Sequence, residues 1–251
     1  MPPCLSPGGP PIRRLCRASF LLPAVFLLGI TAALGAGPSA EAPPRPEDLI
    51  ASLQKKYEAT RTLAAELDQE NELRSLGQTT RSRGTVHLEK PGRIRVEYTE
   101  PEAQLIVADG NQLWVYTPRL KQVIASGIGG APSAPFLFLA GRGELSQTFE
   151  VKVEDYGTPP RAEGAWRAGQ PHRLSLTPRQ PQAGFQQMWI EVDPQSFQIT
   201  ALEYTDPLGN RSRMRFSRIR EGESLPASLF QFEVPQGAEV LRLPGQGAPG
   251  R

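Results

Sequence analysis

Residues 84–123 read GTVHLEKPGRIRVEYTEPEAQLIVADGNQLWVYTPRLKQV and hold the clearest structural pattern in the chain. Apolar and polar residues alternate in four short segments, as is typical of strands with one buried face. These segments are TVHLE (85–89), RIRVEY (93–98), QLIVA (104–108) and QLWVY (112–116). Short turn sequences such as Asp109-Gly110 separate them, which leaves no room for crossover helices. The stretch therefore predicts consecutive antiparallel strands.

The same alternation continues towards the C-terminus. Five further strands are predicted: FEVKVED (149–155), HRLSL (172–176), FQQMWIEV (185–192), ITALEYT (199–205) and RSRMRF (211–216). Short connectors join several of them, so we expect an antiparallel meander. A sheet of this many strands has to curl, and its dry face needs a cover. The fold class is therefore mainly β, with a few helices.

Two segments are candidates for the cover. Residues 46–62 carry Leu49, Ile50, Leu53 and Tyr57 at steps of three and four, which predicts an amphipathic helix. The segment PFLFLA (135–140) is apolar on all sides and interrupts the run of strands. We expect both to lie over the dry face of the sheet.

The first forty residues have the pattern of an export signal. Basic residues at Arg13, Arg14 and Arg17 precede an apolar run over 20–34, and small residues follow. This order predicts a signal peptide over 1–40, cleaved after Ala36 or Ala40. We expect a single domain over 41–242 and a disordered tail over 243–251. Both cysteines lie before the apolar run, so the exported domain has no disulfide.

Composition argues against several functions. The chain has 28 basic and 26 acidic residues, which is poor for binding nucleic acid through its phosphates. It has two histidines, His87 and His172, and neither belongs to a recognisable nucleophile or metal motif. We therefore expect no catalytic residues, no metal and no cofactor, and the chain is not predicted to be an enzyme.

The block over 84–123 resembles the periplasmic lipoprotein carrier family LolA in its sequence of strand, Lys-Pro-Gly, strand, "IVADG", "LWVY" and "KQV". The order of outer pieces agrees: a preceding helix, the lid-like APFLFLA (134–140) and the closing FQFEVPQG (230–237). The resemblance covers 46–242. It implies an incomplete, unclosed antiparallel β-barrel with a helical lid over an apolar cavity.

The resemblance also implies a function. Family members are periplasmic carriers that take lipoproteins from an inner-membrane ATP-driven transporter and pass them towards an outer-membrane acceptor. The implied partners are thus lipoprotein acyl chains, that transporter and that acceptor, with the carrier as a monomer. Two alternatives stay open: a carrier of another lipid on the same scaffold, and an envelope-stress sensor that binds a membrane regulator. A hydrolase using His87 and His172 is a more distant alternative.

Site residues follow from the resemblance and from strand alternation together. The predicted cavity lining is Val86, Leu88, Ile94, Val96, Leu105, Val107, Leu113, Phe136, Leu139 and Trp189. Alternation does not say which face looks inward, so Trp114 and Tyr116 stay unassigned. In the family an Arg before the turn proline bonds to helix backbone and latches the lid. Lys90 stands at that position here, and its predicted counterparts are Leu53, Leu139 and Ala140. Ile94 and Val96 stand where aromatic residues are common in the family.

Overall fold

The computed structural model describes residues 45–128, 138–141, 145–154, 169–180 and 185–243. The predicted signal peptide over 1–40, the lining residue Phe136 and residues 244–251 of the predicted tail lie outside these ranges.

The described part of the chain is mainly strand. Its fully described helices are α1 (Pro46–Ala59) and α2 (Leu145–Thr148), and short 3₁₀ turns cover Pro118–Leu120 and Ala227–Phe230. Its strands are β1 (Thr62–Leu73), β2 (Gln78–Glu89), β3 (Arg93–Glu100), β4 (Gln104–Asp109), β5 (Gln112–Thr117), β6 (Gln122–Gly127), β7 (Phe149–Val153), β8 (His172–Pro178), β9 (Gln187–Val192), β10 (Ile199–Thr205), β11 (Arg211–Glu221) and β12 (Glu239–Arg242). The nine predicted strands are all confirmed, and the predicted mainly-β fold class with them.

All twelve strands form one sheet, in the order β12-β6-β5-β4-β3-β2-β1-β11-β10-β9-β8-β7. Two meanders, β1 to β6 and β7 to β11, are joined by antiparallel pairing of β1 with β11. Within the described residues the sheet ends at β12 on one side and β7 on the other, so the barrel is unclosed. The predicted antiparallel pairing is confirmed for the nine predicted strands, whereas β12, which was not predicted, pairs with β6 in parallel. Parallel pairing needs a crossover connection, which the long segment after β11 supplies.

The sheet curls around one core. Leu113 of β5 and Leu176 of β8 belong to the same buried cluster, although these strands stand far apart in the sheet order. Met188 of β9 and Leu53 of α1 join them there. We call the sheet face that carries this cluster the inner face and the opposite one the outer face.

Helix α1 covers part of the inner face. Pro46 occupies its first turn, and Glu47 and Asp48 suit the positive end of the helix dipole. Its buried residues are Leu49, Leu53 and Tyr57, four residues apart and therefore on one side of the helix. The helix ends at Ala59, earlier than predicted, because Thr60 already has an extended backbone. No helix in the described ranges is long and apolar enough to cross a membrane.

Candidate functional site

The inner face brings together five of the predicted lining residues. Val86, Leu88, Ile94, Val96 and Leu113 are each exposed by 3% or less. They are cross-strand neighbours: Val86 faces Val96, and Leu88 faces Ile94. With Ile106 and Ala108 of the intervening strand β4, they present a continuous apolar surface to the core.

Three predicted lining residues lie on the other face, and the prediction is corrected there. Side chains alternate along a strand, so Ile106 and Ala108 on the inner face put Leu105 and Val107 on the outer face. Trp189 is likewise outward between Met188 and Ile190, and its indole Nε1 donates to Glu154 at 2.9 Å. The prediction assumed that apolar residues of a strand face the inner side. Val107 breaks this assumption, because it faces outward and is nevertheless fully buried.

A second apolar layer explains that outward burial. The chain after β11 crosses the outer face, where Phe230 is buried and the ring of Phe232 stacks on Trp114 at 5.9 Å between centroids. Arg95 of β3 holds this segment by donating from Nη1 to the carbonyl of Leu229 at 3.1 Å. Trp114 and Tyr116, unassigned from sequence, therefore belong to the outer face.

Residues 138–141 form the second described part of the inner cover. Phe138 and Leu139 are helical, and the ring of Phe138 stacks on Tyr57 of α1 at 5.7 Å. Phe138 also meets Phe149 of β7 edge-on at 5.5 Å. The Tyr57 hydroxyl donates to the carbonyl of Phe138. An aromatic row therefore ties α1, residues 138–141 and edge strand β7 to one another.

Lys90 connects the sheet to both parts of this cover. Its ammonium donates to the backbone carbonyl of Tyr57 and lies 3.7 Å from the centroid of the Tyr57 ring. The predicted counterpart Leu53 is wrong for this bond. The carbonyl of a residue inside a helix is bonded four residues on, whereas that of Tyr57 in the last turn is free. Leu53 instead contributes its buried side chain.

The turn that follows Lys90 adds a backbone contact. Gly92 donates its N–H to the carbonyl of Ala140 at 3.1 Å, so Ala140 is held by the sheet, though through Gly92 rather than Lys90. Gly141 has a φ of +71°, and a Cβ there would lie 2.5 Å from Cδ of Lys90. Glycine is therefore favoured at this position, because of its backbone conformation and because a Cβ would displace the lysine stem. We call Lys90, Tyr57, Gly92 and Ala140 the latch.

Burial changes the protonation of the latch. Desolvation lowers the pKa of Lys90 from its ordinary value of 10.5 to about 8, against the opposing attraction of Glu221 and Glu58. Burial raises the pKa of the Tyr57 hydroxyl, which stays protonated and able to donate. The latch thus rests on a lysine that is less firmly charged than a surface lysine.

A polar cluster beside the latch was not foreseen. Lys56 of α1 forms an ion pair with Glu221 at the end of β11, and Thr60 donates to the same carboxylate at 3.1 Å. Gln198 donates to Glu221 at 2.9 Å. Only the folded sheet brings Glu221 next to α1, since 165 residues separate it from Lys56.

The space beneath the latch is small. A cavity of ≈ 50 Å³ lies there, and Leu53, Leu88, Lys90 and Leu139 are among its lining residues. This is room for a few water-sized groups. A long acyl chain needs more room than this cavity offers, so it would have to displace part of the cover here.

The two histidines do not share a site. His87 pairs with Arg95 on the outer face, and burial lowers its pKa. His172 lies on the inner face opposite Val192 and is almost completely buried. In the ranges that the structure describes, no three His, Cys, Asp or Glu side chains are grouped to hold a metal ion.

Known proteins that resemble this chain belong to one family. The family model described as "Outer membrane lipoprotein carrier protein LolA" matches residues 58–233. The "Outer-membrane lipoprotein carrier protein" of Dechloromonas aromatica is 34% identical over 184 residues, which is 72% of this chain and 82% of that protein. The protein of the same name from Chromobacterium violaceum is 31% identical over 218 residues, 86% of this chain and 97% of its own length. A solved LolA superfamily protein from Nitrosomonas europaea has a TM-score of 0.43 and 14% identity, covering 76% of this chain and 99% of its own. The match of the family model and the identity to the two carriers show that the chain belongs to the LolA family of outer-membrane lipoprotein carrier proteins.

Proposed function

We propose that the protein is a periplasmic carrier that binds lipoprotein acyl chains against its inner face. The observation that carries the proposal is an apolar face covered by α1 and residues 138–141, with the latch as its polar connection at Lys90. The named carriers among its relatives support lipoprotein as the cargo. The residues proposed to contact the chains are Val86, Leu88, Ile94, Val96, Leu113 and Leu139.

Physical chemistry explains why such a carrier is needed. Each buried methylene group is worth about 0.8 kcal/mol, so a lipoprotein with several acyl chains cannot cross water unescorted. The carrier also has to release its cargo. An apolar surface with a movable cover meets both demands. Acyl chains bind there without a strong polar clamp, and the free energy gained when the latch closes again favours their release.

The finer steps are part of the proposal. The carrier receives its cargo from an ATP-driven transporter in the inner membrane and delivers it to an acceptor at the outer membrane. It acts as a monomer, and its residues 1–40 direct its export and are then removed. It has no catalytic role in this scheme.

A release assay tests the proposal. Inner-membrane vesicles that contain lipoproteins and the transporter are incubated with ATP and the mature protein, and soluble lipoprotein is measured. We expect release that requires both ATP and the protein. Well-folded protein that releases nothing in vesicles where a known carrier succeeds would contradict the proposed function.

A further inference from the structure

The inner face changes character along its strands. Near the latch it is apolar, but towards the opposite end the inward positions are occupied by neutral polar residues. A pocket of ≈ 460 Å³ opens there, and its lining includes the inward residues Gln69, Asn71, Ser82, Gln104 and Thr117. Ile106 and Met214 line the same pocket and belong to the apolar core. The polar pocket is therefore continuous with the proposed acyl-binding surface.

Hydrogen bonds fix which atoms the pocket presents. The Tyr98 hydroxyl donates to Oε1 of Gln69, and Nε2 of Gln69 donates to Oδ1 of Asn71 at 2.8 Å. Ser212 donates to the same Oδ1 at 2.7 Å. The oxygen of Asn71 thus accepts two bonds, whereas its Nδ2 has no partner among the residues that the structure describes. A free N–H donor at a pocket wall suits a carbonyl oxygen.

Charge narrows the choice of ligand. The carboxylate in the lining belongs to Glu102, and Arg119 neutralises it at 3.0 Å. The remaining polar lining consists of amides and hydroxyl groups. An ionised ligand would find no opposite charge to offset its desolvation there, so a neutral group with carbonyl acceptors is favoured.

Distances along β1 fit an acyl chain that begins at this pocket. Six residues separate Gln69 from Leu63, which lines the cavity beneath the latch. At about 3.3 Å per residue this is roughly 20 Å. Half of a 30 Å bilayer core, the depth of one acyl layer, is about 15 Å. A chain whose carbonyl lies at Gln69 and Asn71 would therefore run under the apolar inner face towards the latch.

We propose that this pocket binds the ester and amide carbonyls where the acyl chains of the cargo join its glyceryl group and peptide. The inference rests on the proposed function and adds a direction to it: chains point towards Lys90, and the polar part of the cargo leaves at the opposite end of the sheet. Asn71 and Gln69 supply the donors, and Tyr98 and Ser212 orient them.

A pair of lipids that differ in a carbonyl tests the inference. The mature protein is titrated with 1-palmitoylglycerol, an ester, and with 1-O-hexadecylglycerol, the ether that lacks the carbonyl. A synthetic palmitoylated cysteinyl peptide amide adds the peptide groups. We expect the carbonyl-bearing probes to bind about tenfold more tightly than the ether, the ratio that one hydrogen bond supports. Asn71→Leu should remove this preference, and Tyr98→Phe should reduce it.

Gln112→Leu is the matched control, because this glutamine is exposed at the other end of the sheet. It should keep the tenfold preference. Side-chain amide resonances of wild-type Asn71 and Gln69 should shift with the ester and not with the ether, which tests the site without any variant. A preference shared by both carbonyl probes assigns the contact to the ester, and one confined to the peptide probe assigns it to the peptide.

Equal affinity of wild type for all three probes, or a preference for the carbonyl-bearing probes that survives in Asn71→Leu, would overturn the inference while leaving acyl binding intact. If no probe binds at all, the proposed function fails together with it.

Discussion

Lys90 is the side chain that joins the sheet to both parts of the cover. Its ammonium bonds to the carbonyl of Tyr57, while its stem packs against Gly141. Lys90→Met keeps the stem but leaves that carbonyl unbonded, which costs about 1–2 kcal/mol. We expect amide exchange in the last turn of α1 and in residues 138–141 to become roughly 5- to 30-fold faster, as measured by hydrogen-exchange mass spectrometry.

Lys55→Met is the control for that measurement, since Lys55 is exposed on the same helix. It should leave exchange in both segments unchanged. Equal exchange in the two variants would mean that Lys90 does not hold the cover.

The lowered pKa of Lys90 predicts a pH dependence. With a pKa of about 8 in the folded protein and 10.5 as the ordinary value, the unfolded chain binds more protons between these pH values. Stability contributed by this residue therefore rises with pH across that window. Urea unfolding of wild type and Lys90→Met at pH 7.5 and pH 10 should show the difference in unfolding free energy shifting in favour of wild type at pH 10. If the unfolding free energies of the two proteins changed equally between pH 7.5 and pH 10, Lys90 would not be the source of the pH dependence.

Gly141 and Gly77 form a natural pair for separating two effects of glycine. Both have positive φ, +71° and +59°, but a Cβ at Gly77 would meet nothing within 4 Å, whereas one at Gly141 would meet the Lys90 stem. Gly77→Ala should cost about 1 kcal/mol, from backbone conformation alone. Gly141→Ala should cost more in thermal unfolding and should also speed exchange in residues 138–141. Equal costs would show that the lysine stem moves aside freely.

At the scale of elements, the cover formed by α1 and residues 138–141 is expected to contact cargo. Leu139 lines the cavity beneath the latch, so Leu139→Glu would put a carboxylate against acyl chains at a cost of several kcal/mol. We expect loss of lipoprotein transfer with an unchanged circular dichroism spectrum. Leu241→Glu on β12, where the leucine is 41% exposed, is the matched control and should transfer normally. Transfer by both variants would remove Leu139 from the site.

The segment across the outer face should stabilise the protein without contacting cargo. Phe232 is half-buried against Trp114, so Phe232→Ala should reduce the unfolding free energy by about 1–3 kcal/mol and shift Trp emission to longer wavelength. Acyl-probe affinity should stay within twofold of wild type. A large loss of affinity in the folded variant would place cargo on the outer face.

Strand β1 shows why part of the fold could not be predicted. Its sequence TLAAELDQENEL alternates in apolarity only as far as Leu67. Beyond that, outward Asp68, Glu70 and Glu72 pair with arginines of β2 and β11, and inward Gln69 and Asn71 line the polar pocket. In this half of β1, ion pairs with neighbouring strands and polar inward residues take the place of alternating apolar residues. Acidic residues also have a low strand propensity. The signal from which strands are read is therefore absent.

The candidate site, like the fold, was predictable only in part. Turn position and resemblance placed Lys90 near the cover, and alternation grouped Ile94 with Val96. Alternation alone gave no way to know that Val107 is buried by a segment more than a hundred residues later in the chain. The ion pair of Lys56 with Glu221 depends on the same long-range closure.

At the scale of the whole molecule, a sheet that curls without closing gives one dry face, one edge at β7 and another at β12. In the latched state the cavity beneath Lys90 is ≈ 50 Å³, which is too small for an acyl chain. Cargo entry therefore requires the cover to move while the sheet stays folded. A carrier built in this way exchanges its own apolar contacts for those of the cargo, which keeps binding reversible.

The most direct test of this account is native mass spectrometry of the mature protein isolated from the periplasm, followed by denaturing analysis of what it releases. The account predicts a one-to-one complex whose released partner is an acylated protein, with Leu139→Glu recovered empty. Wild-type protein that is also empty, or that releases only free lipid, would contradict lipoprotein carriage.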